Sequence, residues 1–431
     1  MAGYVRNFFR DALSIFSREL KLLVTDGGVM IIFVVAGFLY PLLYNYIYKN
    51  GVLEETPVAV VDNSCSSLSR RFIREIDATR EVHVTQHCAD MNEARELFRD
   101  RKVNGIIYIP ADFDDAVARE ETARFSIYAD MSSFLYYKNL LIGSEFVMLQ
   151  EINNIKVERY AFDGMTDQEA DQSVYSVRYD ENNPYNRAVS YSIFLISAIL
   201  MLIIQQVMFY GMSLAAGTMR EENRSFATLP GTMRGRGVGR IVLGRGLVYW
   251  LMFVAIGLWI TTVVPAIFKF PQRGDFRDIA YLVCIFVTDC VFFSMTWSSF
   301  VTRRESVFLL LLFVSPVCVF LTGCSWPSCA FPTFWKYFSY LFPGTFGARA
   351  FINMNTAGAD LVSELDLIRA LHIQTIVYFI TACVAVYLEN FVIRHRDEIN
   401  RAIIEAHTRR HERIQEHGER LAERLKQIRK S

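Results

Sequence analysis

The stretch Ser192 to Met212, SIFLISAILMLIIQQVMFYGM, carries no charged residue. At about 1.5 Å of rise per residue, a helix of this length matches a bilayer core about 30 Å thick. It reads as a membrane-spanning helix. Working outward from it, further apolar runs occur at Val29 to Tyr48, Leu247 to Ile267, Ile279 to Phe300, Val307 to Leu321 and Ile373 to Ile393. The run from Val307 is the shortest, and the run from Ile279 contains one acid, Asp289. Six spans put both termini on one side of the membrane. Composition agrees, because 52% hydrophobic and 14% aromatic content against 21% charge is too apolar for a water-soluble chain.

The formal net charge of zero hides an uneven distribution. Arg6, Arg10, Arg18 and Lys21 precede the first span. Arg220, Arg224, Arg234, Arg236, Arg240 and Arg245 lie between the second and third, Arg303 and Arg304 between the fourth and fifth, and a dense arginine series follows the sixth. Lys and Arg near span ends favour the cytoplasmic face, so these segments are expected there. Lys49 follows the first span closely with no small-residue cleavage site, so that span is expected to stay as an anchor and not to be removed as a signal peptide.

The chain therefore divides into a cytoplasmic amphipathic helix (1–28), the first span (29–48), an extracytoplasmic α/β domain (49–187), the second span (188–212), a cytoplasmic loop (213–245), spans three to six with an outer re-entrant turn (246–394), and a charged cytoplasmic C-terminal helix (395–431). In the first segment Val5, Phe8, Phe9, Ala12, Phe16, Leu20 and Leu23 recur at helical spacing among charges, the pattern of a helix lying in the membrane interface. In the external segment, strands are expected at Val58 to Val61, Val82 to Thr85, Gly105 to Ile109 and Arg124 to Tyr128. Helices are expected between them and over Ser133 to about Tyr160, with a loop or weak helix over Phe162 to Tyr185. The fold class is an α-helical polytopic membrane protein with an α/β domain inserted between its first two spans.

No Gly-Lys dipeptide occurs, so the phosphate-binding loop GxxxxGK[ST] is absent and the chain is not its own ATPase. The glycine-rich stretch Gly231 to Gly244 does not follow a strand. His83, His87 and Cys88, and the pair His407 and His411, read as surface histidines more readily than as metal ligands, and no nucleophile elbow is visible. Neither an enzymatic activity nor a cofactor nor a nucleic-acid partner is expected. Asp289 stands out, because an acid near a span centre costs about 2.5–3.5 kcal/mol on insertion scales. It should face protein or water. Thr288, Gln205 and Gln206 are its candidate hydrogen-bond partners, in a structural bond or in a transport path. Cys324 and Cys329, in a short outer loop with Pro327, are a candidate disulfide; unpaired thiols are the alternative.

Several stretches together resemble the type 2 ABC transporter permeases, in the branch with a large external domain between the first two spans. They are Arg18-Glu19-Leu20, the strand PVAVVDN at 57–63, IYIPADF at 107–113, Met219-Arg220-Glu221-Glu222 after the second span, and Trp326-Pro327 with FPTFWKYFSYLFPGTF at 331–346. Relatives usually continue the cytoplasmic motif with a Gly-Thr pair and another acid, whereas Asn223-Arg224-Ser225-Phe226-Ala227-Thr228 follows here. The resemblance implies an exporter permease in a bacterial inner membrane. Its implied partners are separate ATP-binding cassette subunits, a second permease subunit (identical or not), membrane lipid and a periplasmic adaptor. Arg220, Glu221, Glu222 and Arg224 are then the candidate coupling residues, since work must enter through the cytoplasmic ends of the spans. The alternative is a non-transporting receptor or scaffold with an external binding domain and a signalling tail.

Overall fold

The structure, a computed structural model, describes residues 2–175, 184–186, 190–221 and 237–394. The C-terminal segment 395–431, and with it His407 and His411, lies outside the described residues, as do Glu222 and Arg224. The chain forms two compact units, one of residues 1–49 with 191–431 and one of residues 50–190.

Helix α1 (Ala2–Thr25) buries Ile15, Glu19 and Leu23, spaced one turn apart, on one face. Asp26 ends it. With extended backbone (φ −85°, ψ 98°), its carboxylate accepts the N–H groups of Gly28 and Val29 at 3.0 and 3.2 Å. It thereby caps α2 (Gly27–Ile47), the first span, which runs through a π-helical stretch at Ile32–Leu39.

The inserted unit alternates β1 (Thr56–Asp62), α3 (Ser67–Asp77), β2 (Val82–Cys88), α4 (Met91–Arg99), β3 (Gly105–Ile109), α5 (Phe113–Ala118) and β4 (Ser126–Ala129), then α6 (Phe134–Phe162) and α7 (Asp167–Val174). The sheet order is β2-β1-β3-β4, with β1 parallel to both neighbours and β4 antiparallel to β3. Alternate residues of β1 serve opposite faces. Val58 and Val60 pack with Phe72, Ile76, Ile107 and Leu140, while Ala59 and Val61 pack with Ala94, Val103 and Ile106. A Ser66–Ser69 capping box starts α3, and the Ser69 hydroxyl also donates to Asp62 at the end of β1, 2.7 Å away. The stretch expected as loop or weak helix contains α7, opened by a second capping box. Hydrogen bonds from the Thr166 backbone and hydroxyl hold the Glu169 carboxyl below its usual range.

In the other unit, α8 (Tyr191–Glu221), α9 (Val238–Ile267), α10 (Phe276–Ser298), α11 (Arg304–Leu321) and α14 (Leu365–Arg394) complete, among the described residues, six helices long and apolar enough to cross a membrane. α8 and α10 form the centre, and α2 and α11 expose most of their apolar surface. At Gly211 of α8 an added Cβ would lie 2.0 Å from the Phe33 ring, so only glycine lets α2 approach α8 this closely. Between α11 and α14 the chain makes α12 (Thr333–Ser339) and α13 (Pro343–Ile352), and α13 is buried among the spans through Gly344, Thr345, Gly347, Ala348 and Phe351.

Two expectations are corrected. Asp289 is fully buried, but none of its expected partners reaches it, and neither carboxylate oxygen has a hydrogen-bond partner among the described residues. Gln205 instead accepts the Gly344 N–H at 2.5 Å and contacts the Cys318 sulfur at 3.8 Å, which ties α8 to α13 and α11. Thr288 accepts from the Trp250 indole at 2.9 Å and donates to the Cys284 carbonyl at 2.7 Å, and Gln206 makes no bond to Asp289. Cys324 and Cys329 stand as free thiols, so the expected bridge is not formed.

Candidate functional site

The alternating direction of the spans brings six of their ends to one side of the bundle. These are the C-termini of α8, α10 and α14 and the N-termini of α2, α9 and α11, with α1 packed along α9. Helix and span continue into one another here. The loop expected over 213–245 is helical up to Glu221 and again from Val238. Arginines and acids of these extensions meet in two groups.

The first group pins the end of α8. Arg220 donates to the carbonyl oxygens of Ser298, at 2.7 Å, and of Val301, and its guanidinium faces Glu389 of α14 at 3.3 Å. Glu221 accepts the backbone N–H of Arg304 at 2.9 Å and its guanidinium at 2.5 Å. A carboxylate placed there accepts a backbone N–H at the start of α11 and complements the positive end of that helix. Two neighbouring residues thus join α8 to the ends of α10, α11 and α14.

The second group ties α1 to α9. Asp11 pairs with Arg240 at 2.8 Å, and the same guanidinium lies 5.6 Å from the centre of the Phe8 ring. Two turns further along α1, Glu19 faces Arg245 at 3.4 Å and accepts from the Tyr249 hydroxyl at 3.3 Å. Between the two pairs, an added Cβ on Gly244 would stand 2.8 Å from the Ala12 carbonyl and 3.0 Å from Ile15, so α1 rests on the bare backbone of α9. Glu19 is 2% exposed, and a carboxylate this deep is stable only when paired. The two groups share a cavity of about 50 Å³, lined by Glu19, Arg220, Arg245, Tyr249, Ser298 and Glu389 among others.

Of the residues singled out in the sequence, Arg220 and Glu221 enter this site, and their side chains are engaged within the chain. Asp289, Gln205 and Gln206 lie elsewhere on the spans. Sequence reasoning passed over Asp11, Glu19 and Glu389 as partners and counted Arg240, Arg245 and Arg304 only as positive charge. For Glu19 the signal was present: it stands four residues after Ile15 and four before Leu23, on the apolar stripe of an amphipathic helix. His83, at the edge of the α/β unit, has its ring nitrogen 3.1 Å from the Asp77 carboxylate.

Six crossing-length helices among the described residues, with α8 and α10 at their centre, make this a multi-pass membrane protein. The chain belongs to the ABC-2 family of transporter proteins, whose model matches residues 28–384. Membership makes it a membrane subunit of an ABC transporter, a transport component that works with an ATP-binding cassette subunit. No curated protein matches the chain.

Proposed function

We propose that the chain is the permease subunit of an ATP-driven exporter in a bacterial inner membrane, with both termini in the cytoplasm and residues 50–187 outside. A second permease subunit, identical or not, completes the pathway, and a periplasmic adaptor extends it. One observation carries this reading: α1 and the ends of six spans gather in a single layer rich in arginine, and such residues near span ends favour the cytoplasm. A chain without a phosphate loop must receive the work of ATP hydrolysis from outside itself, and this layer is tied together by ion pairs between its elements. Glu221 and Arg220 hold α8 to its neighbours, so a push on the segment 222–236 is delivered to α10, α11 and α14 together. Glu222 and Arg224 then supply the direct contact with the ATP-binding subunit. The test is recovery of that subunit with the tagged chain from native membranes. Glu222→Arg with Arg224→Glu is expected to lower recovery while the chain itself accumulates normally; unchanged recovery and unchanged transport would remove this segment as the coupling contact.

A further inference from the structure

We propose that Arg349 holds the phosphate of a phospholipid on the side of the bundle opposite the arginine layer, against the end of α11. Contacts of α13 fix its level. The helix starts at mid-depth: Gln205 accepts the Gly344 N–H, a Cβ on Gly347 would stand 2.4 Å from the Phe286 ring, and these partners lie near the middles of α8 and α10. The chain after it reaches the start of α10, since a Cβ on Gly274 would stand 2.7 Å from the Met354 carbonyl. In between, the Arg349 guanidinium donates to the Thr322 carbonyl at 3.3 Å, directly after the last residue of α11. The 18 residues of α11 rise about 27 Å, close to a bilayer core of about 30 Å, which puts Thr322 and the guanidinium where lipid headgroups begin.

The charge has no counter-charge within the described residues. Arg349 is only partly exposed, and the Thr322 carbonyl is its one hydrogen-bond acceptor. The side chains that act on it electrostatically are Tyr340 and Cys324, neither of them a carboxylate. The turn after α11 comes in close: Gly323 has a φ of 83°, and a Cβ there would stand 3.3 Å from a terminal guanidinium nitrogen. A partly buried planar fork with one neutral acceptor suits a phosphate, which takes two parallel N–H bonds from it. The neighbouring surface selects a lipid as the carrier of that phosphate. Trp326, Phe334, Trp335 and Tyr337 are exposed in this turn and along α12, and aromatic side chains of this kind gather at membrane–water interfaces. The acyl chains then lie along α11, whose Phe313 and Phe320 are exposed.

Assignment to the outer leaflet rests on the proposed orientation. The site itself requires only that the chain span a membrane, so its test needs neither transport nor an ATP-binding subunit. The purified full-length chain, stripped of lipid in detergent, is titrated with phosphatidylglycerol, and bound lipids are counted by native mass spectrometry. One phosphatidylglycerol is expected to bind ahead of the rest, to resist an excess of inorganic phosphate, and to have no counterpart with diacylglycerol, which has the chains without the phosphate. Arg349→Gln should weaken this first binding about ten-fold or more, the loss of a charge-assisted contact. Arg349→Lys keeps the charge without the fork and should fall between the two, while Lys336→Gln, on the exposed side of α12, should bind as wild type. Equal binding of diacylglycerol, displacement by inorganic phosphate, or a loss in Lys336→Gln as large as in Arg349→Gln would each overturn the site. So would wild-type affinity in Arg349→Gln, or in Arg349→Lys should the Gln variant fail to accumulate.

Discussion

Asp289 is buried with two carboxylate oxygens that no described residue satisfies, in a helix built at that level of Ile, Phe, Val, Thr and Cys. An unpaired buried polar group costs about 1–3 kcal/mol, so removing it should stabilise the bundle. Asp289→Leu is therefore expected to accumulate at or above the wild-type level with a raised unfolding midpoint. A simultaneous fall in transport would assign the carboxyl a working role; a lowered midpoint would mean that it has a structural partner after all. That Asp289 points inward was legible, because a lipid-facing acid carries its insertion penalty without compensation. Its surroundings were not. Gln205 and Gln206 share a span depth with Asp289, but the depth of a residue says nothing about the rotation of its helix, and Gln205 is turned towards the start of α13.

At the scale of elements, the fit of α1 on α9 depends on one missing side chain. Gly244→Val would push a branched side chain into the Ala12 carbonyl and Ile15, an overpacking worth about 1–3 kcal/mol. The expected result is a lowered unfolding midpoint and faster proteolysis within residues 2–25, with the spans still inserted. Unchanged proteolysis would show that α1 does not rest on α9 in the membrane. The amphipathic period of α1 was readable, and so were the strands of the inserted unit, since each repeats over enough residues to show its spacing. The helical ends of the expected loop at 213–245 were not. Arg220, Glu221, Arg240 and Arg245 look like loop residues by charge, and they extend helices because ion pairs from other elements compensate them. α13 was hidden for a related reason: Pro343 to Ile352 is too short to read as a span, and packing against α8, α10 and α14 buries it.

At the scale of the whole molecule, the described residues form a bundle of six spans and an α/β unit inserted in sequence between the first two. On the proposed orientation the exposed thiol of Cys65 lies outside the cell membrane. A membrane-impermeant maleimide should modify it in intact cells, followed by peptide mapping. Cys88 should react more slowly, because burial, with Glu93 and Asp90 nearby, pushes its thiol up from the usual value. Modification of Cys65 only after permeabilisation would reverse the orientation. The central claim, a membrane subunit driven by a separate ATPase, is tested most directly by purifying the tagged chain from native membranes and measuring what comes with it. The account predicts an ATP-binding cassette subunit in stoichiometric amount, with vanadate-sensitive ATP hydrolysis in the purified complex. A chain that purifies alone, or with partners lacking any phosphate-binding loop, would contradict it.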